Sequence, residues 1–490
     1  MPMPGWLRFI ERAGNRLPHP TLLFVWLALL LWPVTALLNI SGISVEHPLS
    51  GDALAIRSLL SADGVRYMLA TLVSNFTGFA PLGTVLVAML GIGIAERAGL
   101  LGAALSALVR RTPTNLLTPV VAFAGVLSSI AVDAGYVVLV PLAALLYARA
   151  GRSPLLGIAV AFAAVSGGFS ANLFIGPVDA LLAGISSEAA QILVPDREVS
   201  AAGNYWFIIA STFLVTALVT LTSLWVERRL PAPTAPAQSG DEHDNSAALR
   251  ASLLCAVLYC AAIAALALPT GAPLRDPDSA SLVNGPFIHA LVVLVALGFA
   301  CCGLVYGKAS GNFRTGADVI GAMEESMRSM AGYLVLMFFA AQFVAWFNWS
   351  GIGLLIAVKG AGGLAALQLP TAATLVGVVL LTALINLMVG SASAKWALLA
   401  PMFVPMLMLA GIDPQATQAA FRVGDSSTNI ITPLMPYFAL VLGFARRYQP
   451  DTGIGSLLAL MLPYSLALLL GWSLFLFTWI AVGWPLGPTL

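Results

Sequence analysis

The chain has 490 residues, 9 % of them charged and 59 % hydrophobic, with 23 Lys and Arg against 22 Asp and Glu and a mean hydropathy of +0.92. A soluble domain carries about 25 % charged residues, so this chain cannot cover a globule with polar surface, and a soluble enzyme is excluded. A net charge of +1 leaves no electrostatic footprint for nucleic acid. The composition instead predicts an all-α polytopic membrane protein whose main partner is the lipid bilayer.

In chain order, the first twenty residues, with Arg8, Glu11, Arg12 and Arg16, read as a short amphipathic segment. No A-x-A cleavage site follows the first apolar run, which is expected to be a retained anchor. A crossing needs about 20 apolar residues, and nine are predicted, at 21–40, 70–94, 153–178, 204–226, 251–268, 287–306, 333–348, 414–443 and 456–482. Two longer apolar stretches, 115–150 and 370–411, are interrupted midway by small and polar residues and are predicted to be re-entrant helical hairpins. A linker at 230–248, rich in Pro, Ala, Ser and acidic residues, divides the chain. The expected organisation is an N-terminal segment with the first crossing and an outer loop (1–69), a first repeat with its hairpin (70–180), scaffold helices with the linker (181–329), a second repeat with its hairpin (330–443), and a last crossing (444–490).

With the N-terminus in the cytosol, most of the 23 basic residues, among them Arg110, Arg111, Arg228, Arg229, Arg446 and Arg447, fall in cytosolic loops, as the positive-inside rule requires. A bacterial inner (cytoplasmic) membrane is the expected location. Cys255, Cys260, Cys301 and Cys302 form no CxxC, and the four His are scattered. Gly303 to Lys308 falls one residue short of a phosphate-binding loop, so neither a zinc site nor an ATP-driven pump is expected.

The two halves match each other. IAVDAGYVVLVP (130–141) aligns with GSASAKWALLAP (390–401), setting Asp133 against Ser393, Tyr136 against Trp396 and Pro141 against Pro401. Pro154 meets Pro414 at the same offset, each after a capping residue, Ser153 or Asp413, as at the first position of a helix. SGGFSANLFIGP (166–177) answers GDSSTNIITP (424–433), and Gly99-Leu100-Leu101 answers Gly353-Leu354-Leu355. The parity of the crossings makes the repeats inverted, and inverted repeats with broken helices near the midplane mark secondary transporters.

Segments 166–172 and 424–429 interrupt apolar spans with Gly, Ser, Thr and Asn and are expected to unwind. Unwound backbone at membrane depth lines a polar cavity, where its carbonyls and neighbouring side-chain oxygens suit a hard cation. The hairpin tips supply Ser128, Ser129 and Asp133 on one side and Asn386, Ser391 and Ser393 on the other; Asn172 and Asn429 lie in the broken segments. Asp133, Asp179, Lys395, Arg422 and Asp425 all fall in or beside these elements. A charge at the bilayer centre costs at least about 2.5–3.5 kcal/mol, so they must be paired, hydrated or ligand-bound. Arg422 and Asp425, three apart, could share a helix face. Such a pair would serve either as a structural pin for the helix break or in transport.

SASAKWALLAP (391–401), GIDP (411–414) and FRVGDSSTNIITPLMPYF (421–438) together resemble the AbgT family of p-aminobenzoyl-glutamate transporters, and the likeness extends over nearly the whole chain. The resemblance implies a homodimer whose protomers have an outer scaffold and an inner core, moving in an elevator-like way. It implies transport of p-aminobenzoyl-glutamate or p-aminobenzoate, and in some members export of sulfonamide antimetabolites. The family's functional positions match Asp179, Trp396, Pro414, Arg422 and Asp425, and its sodium coordination resembles the neighbourhood of Asn386 and Asp425. The expected roles are Arg422 on a substrate carboxylate, Trp396 on the substrate ring, and Asp179 and Asp425 on Na+ or protons, with Lys395 and Asn429 completing the substrate site. The Na+ ligands are expected from Asn386, Asp425, Ser391, Ser128, Asp133 and Asn172, with Na+ as a coupling or structural ion and no other cofactor. A sodium-coupled dicarboxylate carrier is the nearest alternative. An intramembrane protease is a remote one, since Arg422-Val423-Gly424-Asp425 departs from the GxGD pattern.

Overall fold

A computed structural model describes residues 20–46, 53–110, 112–130, 135–229, 246–277, 281–282, 286–432, 435 and 437–488. Among these, every regular element is helical except a small antiparallel ribbon, β1 (Ser44–Glu46) and β2 (Ala53–Ala55), which pairs Ser44 with Ala55. The chain enters through α1 (Pro20–Ile40). After the ribbon, α2 (Ala62–Thr77) and α3 (Ala80–Arg97) together cover Ala62–Arg97, a largely apolar stretch of 36 residues interrupted at Gly78 and Phe79. The crossing expected at 70–94 therefore starts earlier. Asp63 and Arg66, which disguised its start, pair with each other at the exposed first turn (2.8 Å).

Then follow α4 (Leu100–Arg110), α5 (Leu117–Leu127), a 3-10 turn over Ser128–Ile130, a π-helical turn over Gly135–Leu139, α6 (Val140–Arg149), α7 (Pro154–Gly167) and α8 (Pro177–Ala190). The middle of the chain holds α9 (Tyr205–Glu227), α10 (Ser246–Ala267), the single turn α11 (Pro286–His289), α12 (Leu291–Ser310) and the amphipathic α13 (Gly316–Ser329). The second half supplies α14 (Ala331–Trp349), α15 (Ile352–Ala366), α16 (Thr371–Asn386), α17 (Ala392–Leu409), α18 (Pro414–Asn429) and α19 (Phe438–Tyr448), and α20 (Ile454–Val482) closes the bundle. Residues 230–245 of the linker lie outside the described residues, and its last three open α10.

The order α3 to α8 recurs as α14 to α19: a long helix, a short one, a two-legged hairpin, and a helix interrupted partway. Backbone geometry repeats with it. Gly99 (φ +85°) and Gly351 (φ +82°) precede the short helices α4 and α15, so the structural counterpart of Gly99 is Gly351 and not the expected Gly353, which lies inside α15. Gly151 (φ +71°) and Gly411 (φ +77°) precede the two proline-started helices α7 and α18. Only glycine adopts this left-handed backbone freely, so the repeated glycines mark repeated turns. In each half both legs of the hairpin pack on the helix that follows: α5 and α6 on α7, α16 and α17 on α18.

Among the described residues, eight helices are long and apolar enough to cross a membrane, or nine if α4 and the 114–130 segment, bent by 119°, count as one span. Two expected crossings are instead two helices each, α7 with α8 and α18 with α19. The short α4 and α15 were not anticipated; at 11 and 15 residues neither reaches the length of a span. Conversely, α17 is long enough to cross although it is a hairpin leg with Pro401 and Pro405 inside it. The outer faces are apolar, with Leu253, Leu254 and Leu258 of α10 exposed as hydrocarbon contact demands.

Two large apolar cores fill the interior. One gathers hairpin 1 with α7, α9, α16, α19 and α20, through residues such as Val121, Phe162, Val215, Val379 and Leu468. The other gathers α1, α3, α8, α14 and the start of α17, through Phe24, Val85, Ile185, Phe343 and Ala397. Helix α18 runs along the seam: its Ala419, Ala420 and Val423 belong to the first core and its Phe421 to the second.

Candidate transport site

Helix α18 is the anomaly from which the site is built. Every residue from Ala416 to Asn429 is buried, as is Pro414, yet the helix carries Thr417, Gln418, Arg422, Asp425, Ser426, Ser427, Thr428 and Asn429. A wholly buried helix is ordinarily apolar all round. Asp413 caps its start by accepting from Gln415 N (2.8 Å), and Pro414 takes the first helical position. Ser153 precedes α7 in the same place but makes no side-chain cap bond.

The expectation that 424–429 unwinds is corrected here, because α18 stays helical through Asn429. The hydroxyls bond back along the helix, Thr428 Oγ1 to Gly424 O (3.0 Å) and Thr432 Oγ1 to Thr428 O (2.8 Å). The interruption comes just beyond, where Pro433 and Pro436 in the sequence supply no N–H to continue the ladder. In the first repeat the helix ends at Gly167 and the chain runs irregularly to Gly176. There Asn172 Oδ1 accepts from the backbone N–H of Leu173 (2.7 Å) and Phe174 (3.1 Å), and its amide donates to Ser129 Oγ (2.7 Å), tying the segment to the tip of hairpin 1. Ser170 N donates to Ser426 Oγ (3.2 Å), so the interrupted elements of the two repeats touch.

The pairing of charges also differs from the expectation. Arg422 and Asp425 sit on one helix but do not pair with each other. Arg422 Nη2 reaches Asp179 Oδ1 on α8 at 2.7 Å, both side chains being buried. Asp179 Oδ2 meanwhile accepts from Gly176 N (2.7 Å), closing the start of α8 behind Pro177. Asp425 pairs with Lys395 of α17, whose side chain is 0 % exposed. Both pairs thus join α18 to elements of the second core, across the seam. An i,i+3 reading finds only partners within one helix; these partners are set by the packing of the repeats.

Around Asp425 the polar groups form a tight cluster. The Asn386 amide nitrogen faces Asp425 O at 2.6 Å, and Thr428 Oγ1 and Asn429 Oδ1 at 2.9 Å. This turns Asn386 Oδ1 toward Lys395 Nζ, which contacts it. Apart from the Lys395 ammonium against Oδ1, no partner reaches the Asp425 carboxylate among the described residues. Thr382 Oγ1, one turn earlier on α16, is also buried without a partner. Helices α16 and α18 approach closely because Gly424 has no side chain: a Cβ there would lie 2.4 Å from Val379 O.

Trp396 is 0 % exposed. Its ring leans on Phe421 (centroids 4.5 Å apart) and its Nε1 faces Ser186 Oγ (3.0 Å) and Leu182 O (3.2 Å). Sequence reasoning missed Ser186 and Phe421. Ser186 lies seven residues after Asp179 on the same face of α8, a spacing that would have found it. Tyr136, the counterpart of Trp396, is stacked on Tyr437 (4.1 Å, 5°). Of the other expected residues, Ser128 is buried and donates to Gly125 O (2.7 Å), Ser391 caps α17 by accepting from Ala394 N (3.3 Å), and Asp133 lies outside the described residues. The expected Na+ ligands among the described residues thus fall into two groups, Ser128 and Asn172 in the first repeat, Asn386, Ser391 and Asp425 in the second.

Beside Arg422 lies a cavity of about 20 Å³ lined by Ser129, Ser170, Asn172, Gly176 and Asp179 among others. Its size suits about one water molecule. Arg422 Nε is buried and has no hydrogen-bond partner, so the guanidinium retains a donor for a further acceptor.

Paired charges on a buried polar helix, set where two repeats with interrupted helices meet in an apolar multi-span chain, define a membrane transporter. The chain belongs to the AbgT transporter family, whose profile matches residues 5–490. It is 39 % identical over 492 aligned residues to the p-aminobenzoyl-glutamate transport protein of Escherichia coli K12, covering 99 % of this chain and 96 % of the relative. It also resembles the Alcanivorax borkumensis YdaH transporter (64 % identity, TM-score 0.93, 96 % of this chain and 100 % of that one). A third likeness is to Neisseria gonorrhoeae MtrF, described as illuminating a class of antimetabolite efflux pumps (43 % identity, TM-score 0.92, 99 % of each chain). These relatives are transporters, and the chain is not an enzyme.

Proposed function

We propose that the protein is a secondary active transporter of aromatic carboxylates of the p-aminobenzoyl-glutamate and p-aminobenzoate type, able also to export sulfonamide antimetabolites, and driven by a Na+ or H+ gradient. The observation that carries this is the buried Asp179–Arg422 pair with an unused guanidinium donor. Guanidinium pairs bidentately with carboxylate, so a substrate carboxylate competes with Asp179 for Arg422, and a displaced Asp179 keeps the hydrogen bond from Gly176 N. The names of the Escherichia coli and Neisseria gonorrhoeae relatives supply the substrate class. The small cavity beside Arg422 holds no aromatic ring, so substrate entry requires the seam to open. Trp396 then exchanges its contact with Phe421 for the substrate ring.

For the coupling ion, Asp425 and Asn386 offer hard oxygen donors, and the Asp425 carboxylate has no partner other than the Lys395 ammonium among the described residues, which fits Na+. These two residues would hold it, with Thr382 and Thr428 hydroxyls nearby. The basic excess in alternate loops supports a bacterial inner membrane with the N-terminus on the cytosolic side. The seam between the cores is where one unit moves against the other in an elevator-like way, within a homodimer. Labelled p-aminobenzoyl-glutamate and a labelled sulfonamide are followed in proteoliposomes under imposed Na+ or pH gradients. Gradient-driven flux of either is the expected result; succinate flux without aromatic carboxylate flux would overturn the proposal.

A further inference from the structure

The oxygens that suit the coupling cation already have a cation against them. Lys395 Nζ contacts Asn386 Oδ1 and Asp425 Oδ1 together. The three residues come from three elements: Asn386 ends α16, Lys395 lies in the first turns of α17, and Asp425 is on α18. The α17 leg of hairpin 2 is therefore held to the polar helix through its ammonium, while the α16 leg is bonded to it directly through the Asn386 amide. Asn386 cannot turn away without cost, because its amide nitrogen serves Asp425 O, Thr428 and Asn429, and a flipped side chain would aim its oxygen at a backbone carbonyl. The pair of oxygens is thus fixed. A site of this size takes one positive charge, since two cations sharing the same two oxygens repel each other at close range in a poorly screened interior.

We propose that Lys395 is a tethered ammonium that competes with the coupling cation for Asn386 and Asp425, so that cation binding releases α17 from α18. This rests on the reading of Asn386 and Asp425 as cation ligands. Lysine is suited to such competition because its charge is compact and its four-carbon stem is flexible, so it can leave the site as an arginine fork bound on two sides could not. Its departure removes the charged link between hairpin 2 and α18, which makes the hairpin the element that responds to the ion. In the cation-free state the ammonium keeps Asp425 from standing as a bare buried carboxylate, which would be strongly destabilising. Hairpin 1 shows no charged link of this kind among the described residues; its tip is tied to the segment after α7 by the neutral hydrogen bond from the Asn172 amide to Ser129 Oγ. The device belongs to the second repeat.

The test uses the full-length purified protein in nanodiscs and reads thermal unfolding against Na+ concentration, with choline holding the ionic strength constant. A ligand bound only by the folded state raises the midpoint by an amount that grows with ln(1 + L/Kd), where L is the ligand concentration, so the rise begins near the dissociation constant. Lys395→Met removes the competitor, and Lys395→Gln removes its charge while keeping a hydrogen-bonding group for Asn386 and Asp425. In both, the midpoint is expected to begin rising at a Na+ concentration at least tenfold lower than in the wild type, and Asp425→Asn is expected to show no Na+ effect. A Lys395→Met protein that unfolds in choline but folds in Na+ also supports the proposal. Equal onset concentrations in wild type and both lysine variants overturn it while leaving the cation site standing. No Na+ effect in any form overturns the cation site and the proposal together.

Discussion

Replacing Asp179 by Asn separates the charge of that residue from its structural contact. The Asn oxygen can still accept from Gly176 N, as Asp179 Oδ2 does at 2.7 Å, so the start of α8 keeps its closure. The Arg422 guanidinium, 2.7 Å away and 2 % exposed, loses its counter-ion. Breaking a buried pair by removing one partner costs about 3–5 kcal/mol, because the remaining charge is uncompensated. An aromatic carboxylate binding to Arg422 restores that compensation, and in the variant it no longer competes with Asp179. If only about 1.4 kcal/mol of the cost is recovered on binding, affinity rises tenfold. Asp179→Asn is therefore expected to be less stable than wild type without ligand, and to bind p-aminobenzoate about tenfold more tightly or better. Transport by the variant should fall, since a carboxylate that Asp179 no longer displaces leaves slowly. Isothermal titration with the purified protein measures the affinity, and thermal unfolding measures the stability. Unchanged or weaker binding, with the variant folded, would refute the exchange of counter-ions on Arg422.

Other consequences follow from contacts around the same helix. Gly424→Ala forces a Cβ to within 2.4 Å of Val379 O and 2.8 Å of Thr382 Cβ, so it should lose about 1–3 kcal/mol by overpacking α16 on α18, read from thermal unfolding. Trp396→Phe forfeits the hydrogen bond to Ser186 Oγ (3.0 Å) and should cost about 1 kcal/mol while retaining transport. Trp396→Ala leaves a cavity against Phe421, should cost about 3–5 kcal/mol, and should lose flux in proteoliposomes. Arg197→Ala breaks a half-exposed pair with Asp413 (3.2 Å) and should change stability by no more than about 1 kcal/mol, whereas the α18 cap, Asp413 to Gln415 N, survives it.

The sequence made the kind of fold legible because apolar runs and repeated prolines need no knowledge of tertiary packing. Pro154 and Pro414 open their helices where their flanking residues say they should. Four of the five charges expected at membrane depth do lie buried together, Asp179, Lys395, Arg422 and Asp425; the fifth, Asp133, is outside the described residues. Their pairing was not legible. Helical spacing joins Arg422 to Asp425, yet each finds its partner on another element, and only the meeting of α8, α17 and α18 decides which. The position of the break in the second repeat was misread for a local reason. Ser and Thr are loop formers in water, but at membrane depth their hydroxyls bond back to the helix and sustain it, leaving the interruption to the prolines. The short helices α4 and α15 escaped notice because each is too brief to register as a span, although the glycines before them, Gly99 and Gly351, share one left-handed backbone.

A structure of the protein with bound p-aminobenzoate tests the carboxylate exchange most directly. The expected result is the ligand carboxylate on the Arg422 guanidinium, with the Asp179 side chain withdrawn from its 2.7 Å contact and the seam opened beside Trp396. A ligand bound elsewhere, with the Asp179–Arg422 pair intact, would contradict it.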